Sequence, residues 1–379
     1  MIAKRANFHK LSSPQKQQGA ALLIALVIMT IAIGIAANIM FRQQLHTRLA
    51  SNIGNLEQAY PYATAIEDWS RTILLRDFED SPDSDDLTEA WATEIPPIPI
   101  PGGQMTGRLY DLQGKFNLNN VYPPEKPIEE ETQTESEATQ GETTQATPEE
   151  LRLIKDQNRY IIAKQRLTKL IETIDPDEDL GPAVNFADIV EDWIDENSES
   201  LAGGAESDYY QVQDPPYNTA NSFLVSETEL RLLKDIDNDA YHLLRKHVTT
   251  LPEYTAVNVN TATIEVIQSL GFTAEAAENI ISVREEDPFQ NMEDFLSLEV
   301  VRSATEVPPA VEGETPEEPE VYEQDLAVTS SHFLLQGEIN IGTARLYINS
   351  ILQRKDGKVK VVSRDFSNQQ VDTNKEPEE

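Results

Sequence analysis

The chain contains no cysteine, which excludes disulfides, thiolate metal ligands and a thiol nucleophile and leaves the redox compartment open. Basic residues are scarce. Thirty Lys and Arg stand against 66 Asp and Glu, a formal charge of −36, so the main body is unsuited to nucleic acid or anionic lipid surfaces. The five histidines (His9, His46, His242, His247, His332) offer no H-E-x-x-H spacing, and His242 and His247 do not stack on one helical face. There is no G-x-S-x-G elbow and no P-loop. Trp69, Trp91 and Trp193 read as core anchors. With paired acids uninformative in so acidic a chain, the expectation is a protein without catalysis.

The amino terminus is unlike the rest. Lys4, Arg5, Lys10 and Lys16 make residues 1–19 basic, with no acid among them. Residues 20–41 then run for 22 positions without a charge. As a helix they would extend roughly 33 Å, enough for a bilayer core, and they exceed the roughly 7–15 residues of a signal-peptide core. The basic leader marks the cytoplasmic side, so residues beyond 41 are expected across the membrane.

The junction K-Q-Q-G-A-A-L-L-I at 16–24 resembles a type IV prepilin processing site, with Gly19 and Ala20 flanking the cleaved bond. In that pattern the fifth mature residue is nearly always glutamate; here it is Ile24. The resemblance implies a mature, methylated Ala20 terminus, processing by a prepilin peptidase, a long N-terminal helix and a periplasmic head. Apolar residues at helical spacing (Leu45, Leu49, Ile53, Leu56, Ala63, Ile66, Ile73, Leu74) predict that the helix continues over 42 to about 77, kinked or divided at Pro61.

The head reads as strands interrupted by helices. IPPIPIPGG at 95–103 is expected to be a connector, and 105–120 a strand, a turn at Gln113–Gly114 and a further strand. Residues 125–150 hold nine glutamates and one lysine and are expected to be an acidic low-complexity insert. Residues 151–305 form a helical block, with a capping box at Ser226 and Glu229, a helix ending at Gly271 and another starting at Thr273. A Pro/Glu linker follows at 306–325. Residues 326–379 return to strands, with a hairpin turn at Asp356–Gly357.

Several segments in order carry a narrower resemblance. They are the leader with Ile24, KFNLNN at 115–120, DWID at 192–195, GGAESDYY at 203–210, DPPYNTAN at 214–221 and VNVNTAT at 257–263. Together they resemble the type II secretion system protein K family, the large minor pseudopilins. Ser207 departs from it, standing where an acidic pair usually begins. The resemblance implies an α+β pseudopilin fold: a transmembrane helix over 20–41, head segments at 42–124 and 326–379, and a large inserted α-helical domain. It further implies a single-pass inner-membrane protein at the tip of a periplasmic pseudopilus. Its partners would be minor pseudopilins I and J, other pseudopilins and the inner-membrane secretion platform. A minor pilin of a type IV pilus is the alternative within the class.

Two sites remain open. Asp195, Asn197, Glu199, Gly203 and Glu206 fall at calcium-loop steps 1, 3, 5, 9 and 12, but Ser200 stands where that loop needs its turn glycine. The competing reading is an ordinary solvated acidic loop. The family resemblance adds weight to calcium here, with Asp195, Asn197, Glu206 and Asp208 as ligands. Residues 257–298 also resemble a helix-hairpin-helix repeat, which would make the chain a membrane-anchored DNA receptor. Its hairpin Gly271-Phe272-Thr273 holds one glycine and is ringed by Glu275, Glu278, Glu285, Glu286 and Asp287, which would repel phosphate. No nucleic acid is expected as a partner.

Overall fold

The computed structural model describes residues 18–124, 148–306 and 321–367. One helix, α1 (Gln18–Asp80), opens the fold and is the single described helix long and apolar enough to cross a membrane. Gly19 and Ala20 lie in its first turn; residues 1–17 of the leader lie outside the described residues.

The helix does not divide at Pro61, which faces solvent. Packing on either side outweighs the one backbone bond that proline forfeits: Ala59, Ala63, Ile66 and Leu74 are buried against the sheet. The expected apolar stripe is only half used. Leu45 and Leu49, each 57 % exposed, and Ile53 are left largely uncovered. Trp69 is likewise a surface residue rather than a core anchor.

The head sheet is antiparallel and contains β1 (Ile95–Ile100) and β2 (Gly103–Asp111). The proline-rich stretch expected to be a connector is thus an edge strand, where Pro96, Pro97 and Pro99 are tolerated because one strand side needs no ladder. The turn at Gln113–Gly114 is not a hairpin. It leads to β3 (Phe116–Asn117), which leaves the sheet and enters the inserted domain. Gly114 packs so close to Thr261 that a Cβ there would lie 2.7 Å from its hydroxyl.

The inserted domain holds α2 (Pro148–Ile174), α3 (Ala183–Ile194), α4 (Ser207–Tyr210) and α5 (Asn238–Leu244). After β4 (Val248–Thr249) and β5 (Val257–Asn258) come α6 (Ile264–Ser269), α7 (Ala274–Glu286), α8 (Met292–Leu296) and α9 (Glu299–Thr305). Helix α2 starts inside the stretch read as acidic insert; residues 125–147 lie outside the described residues, as do 307–320. Ser226 and Glu229 form the expected capping box, and the Thr273 side chain caps α7. Leu167, Leu170, Phe186, Trp193, Tyr210, Leu244, Ile267 and Phe295 share one core with Phe116, Leu118 and Val121.

The chain returns through β6 (Leu326–Ala327) to β7 (His332–Ile341), β8 (Ala344–Lys355) and β9 (Lys358–Ser367). The end of the expected Pro/Glu linker is packed: Val321 is buried and Asp325 accepts a 2.7 Å hydrogen bond from the Tyr254 hydroxyl. Asp356 and Gly357, both at positive φ, turn β8 into β9 as expected. The order β1-β2-β7-β8-β9 places the whole helical block between two neighbouring strands. Gly107 and Gly337 let α1 lie close: a Cβ on either would crowd Ile66.

Asparagines stitch the segments together. Within the inserted domain Asn119, buried, donates to the carbonyls of Leu224 and Leu251 and accepts from Leu224 N–H, each at 2.9 Å. Asn258 donates to the carbonyl of Asp85 and to Asp111, while Asp111 also accepts from Thr261 and Ser330. KFNLNN and VNVNTAT are therefore stitching segments that bind backbone.

Candidate cation site and family relationships

Helix α3 ends in four acids whose surroundings differ. Glu191, one turn earlier than the cap, accepts from Lys164 Nζ at 2.5 Å and from the Tyr160 hydroxyl at 2.6 Å, and Lys164 also pairs with Asp188 at 2.7 Å. That single lysine serves the outer pair. Asp192, Asp195 and Glu206 lie inside, all nearly inaccessible, with no ion pair among the described residues.

The loop 195–206 wraps this inner group with its own backbone. Asp192 accepts from Leu201 N–H and the Ser200 hydroxyl, each at 3.1 Å. Asp195 caps α3 and accepts from Asn197 N–H at 3.1 Å and from its side-chain amide at 2.6 Å. Glu206 caps α4; its Oε2 accepts from Ser207 N–H, and its Oε1 is buried without a partner. Gly204 is required, since a Cβ there would lie 2.0 Å from Asp192 Oδ2.

Burial, foremost, pushes Asp195 up to about 6, against hydrogen bonding from Asn197 and aided by the charges of Glu206, Asp192 and Glu191. Asp192 is raised for the same chief reason. Buried carboxylates with no neutralising cation and one orphaned oxygen are hard donors of the kind calcium takes, but among the described residues these three are not closed to within 4.8 Å of one another.

Of the four residues expected as ligands, the structure brings Asp195 and Glu206 together. Asn197 borders them, with its side-chain oxygen already accepting from Glu199 N–H at 2.6 Å. Asp208 is exposed and accepts from the next residue's N–H. Sequence reasoning missed Asp192, although its place three residues before Asp195 puts both on one helical face. Nor does the calcium-loop spacing correspond to a pair of flanking helices: α4 is a single turn.

A second acidic group, Asp77, Asp85 and Glu89, brings its carboxylate oxygens within 4.8 Å of one another. Arg354 pairs with Asp77 at 3.1 Å and with Asp85, whereas Glu89 accepts from Trp91 Nε1 at 2.6 Å. In the hairpin between α6 and α7, Gly271 has φ +111°, while Arg284 turns inward to the Val259 carbonyl and the five acids face out. Nothing there would hold phosphate.

Two family models, both described as type II secretion system (T2SS), protein K, match residues 114–253 and 257–311. The chain is 32 % identical over 251 residues to the type II secretion system protein K of Aeromonas hydrophila, covering 66 % of this chain and 68 % of that one. It is 28 % identical over 360 residues to that of Pseudomonas aeruginosa, covering 92 % and 93 %. Its fold is similar to a chain in the crystal structure of the GspK-GspI-GspJ complex from the enterotoxigenic Escherichia coli type 2 secretion system. That match has a TM-score of 0.62 at 20 % identity and covers 82 % of this chain and 96 % of that one. From the helical insertion held between neighbouring strands to the stitching asparagines within the matched segments, the chain belongs to the type II secretion system protein K family.

Proposed function

We propose that this chain is a non-catalytic tip subunit of the periplasmic pseudopilus, assembled with the minor pseudopilins I and J, and that it initiates or caps the fibre. The supporting observation is the fold. A chain of similar fold, matched over 96 % of its length, occurs in the GspK-GspI-GspJ complex. Helix α1 supplies the inner-membrane anchor, with its amino terminus cytoplasmic and the head periplasmic. Co-purification of the full chain with its own minor pseudopilins I and J, in detergent, tests the reading; failure to capture either would overturn it.

Processing between Gly19 and Ala20 belongs to the same reading. Small residues there leave room for a prepilin peptidase to reach the scissile bond. Mass spectrometry of the mature chain should find a methylated N-terminus reading AALLIALVI, and a start beyond Phe41 would mean an ordinary secretory signal.

The loop 195–206 would hold one calcium ion through Asp192, Asp195 and Glu206, with Asn197 at the rim. Bound there, calcium supplies positive charge to buried carboxylates that have no cation of their own. The loop's backbone then remains wrapped round α3, fixing the surface that α4 and the following segment present.

A further inference from the structure

We propose that the neck of α1, residues 42–53, is a binding surface for anionic lipid headgroups at the membrane face from which the head projects. This rests on α1 being the membrane anchor. No acidic residue precedes Glu57 in the whole chain, whereas Arg42 and Arg48 follow the apolar run directly. Every residue from 42 to 53 is exposed, and the head first reaches the helix at Asn52, which accepts from the Thr343 hydroxyl at 3.5 Å. Neither arginine has a hydrogen-bond or ion-pair partner among the described residues.

Helical rise fixes the depths. Arg42 sits about 1.5 Å beyond Phe41 and Arg48 about 10 Å beyond it, and a long flexible arm can reach back. A headgroup layer is about 5–8 Å thick, so both guanidinium groups can meet phosphate. Glu57 lies about 24 Å out, roughly three Debye lengths at physiological salt. The first acid of a chain carrying −36 is thereby screened from the lipid surface that would repel it. Leu45 and Leu49 lie on the row beside Arg42 and His46, giving the neck the mixed apolar and basic surface of an interfacial helix. A neighbouring subunit's helix could cover the leucines, but at this depth the anion adjacent to both arginines is headgroup phosphate. Depth and charge together select lipid.

Full-length chain would be reconstituted in phosphatidylcholine vesicles doped with spin-labelled phosphatidylglycerol or spin-labelled phosphatidylcholine. The motionally restricted lipid is then read by electron paramagnetic resonance. The phosphatidylglycerol probe should be preferred, by on the order of two- to fivefold at low salt, with the preference shrinking as salt rises. R42Q/R48Q should remove most of the difference. The basic leader is common to both proteins and cancels in the comparison. Preference unchanged by R42Q/R48Q overturns the inference, as does a loss of restricted lipid through helix association with no headgroup preference. Carbonate-resistant insertion, scored in the same vesicles, separates failure of the anchor from failure of the neck.

Discussion

Asp195 and Glu206 carry the sharpest consequence at the scale of single residues. A carboxyl raised to about 6 in the folded head, from an ordinary 3.8, keeps its proton longer folded than unfolded. The stability it lends is present at low pH and is lost as pH rises from about 4 to about 6. Asp85 and Glu89, each raised to about 7 chiefly by burial, act in the same direction, so the pH dependence of the metal-free head does not isolate the loop. Calcium would isolate it, because an ion bound in the proposed site competes with protons for Asp195. Millimolar calcium should raise the melting temperature at pH 7.5 and do much less at pH 4.5, and Asp195→Ala with Glu206→Ala should abolish the gain. Identical melting curves in chelator and in calcium at pH 7.5 would leave a buried acidic cluster that binds no calcium.

Among the elements, those whose signal is local were legible and those whose cause is distant were not. The capping box at Ser226, the cap at Thr273 and the Asp356–Gly357 turn each act within a few residues, and each is where the pattern put it. Strand β1 was misread because prolines that forbid a central strand are permitted on an edge, and the edge is defined by β2, not by the segment itself. The two-residue pairs β3–β4 and β5–β6 join residues far apart in sequence, so no window contains their pattern. In the candidate site, the loop acids were visible as composition, whereas Asp192 emerges only when α3 and the loop close on each other. The asparagine stitch gives this scale its test. Asn119→Ala would strand three buried backbone groups at about 1 kcal/mol or more each, so urea unfolding should show a loss of about 3 kcal/mol. Asn119→Asp should also be costly, since a carboxylate lacks the two donors that Leu224 and Leu251 accept. A loss under about 1 kcal/mol for both would mean that the inserted domain holds together without the stitch.

For the molecule as a whole, the helix and the head make the same demand on position. In prepilin-like assemblies a fifth-position carboxylate pairs with the N-terminal amine of the neighbour above, and leaving that charge unpaired in the bilayer costs on the order of 3 kcal/mol or more. Ile24 can pair with no amine. A subunit lacking the carboxylate leaves no charge stranded only if nothing sits above it, and in the proposed arrangement its own Ala20 amine would meet the carboxylate of the subunit beneath. The insertion between β2 and β7 points the same way, because a head enlarged by α2 to α9 would obstruct stacking lower in a fibre. The tip assignment therefore makes two predictions. Ile24→Glu should leave secretion unchanged or impair it, and should never be needed for it. Cross-links from the head should reach minor pseudopilins on one side alone. Labelled chain found at intervals along the fibre would overturn the assignment, because each internal copy would then leave an amine above it without a partner.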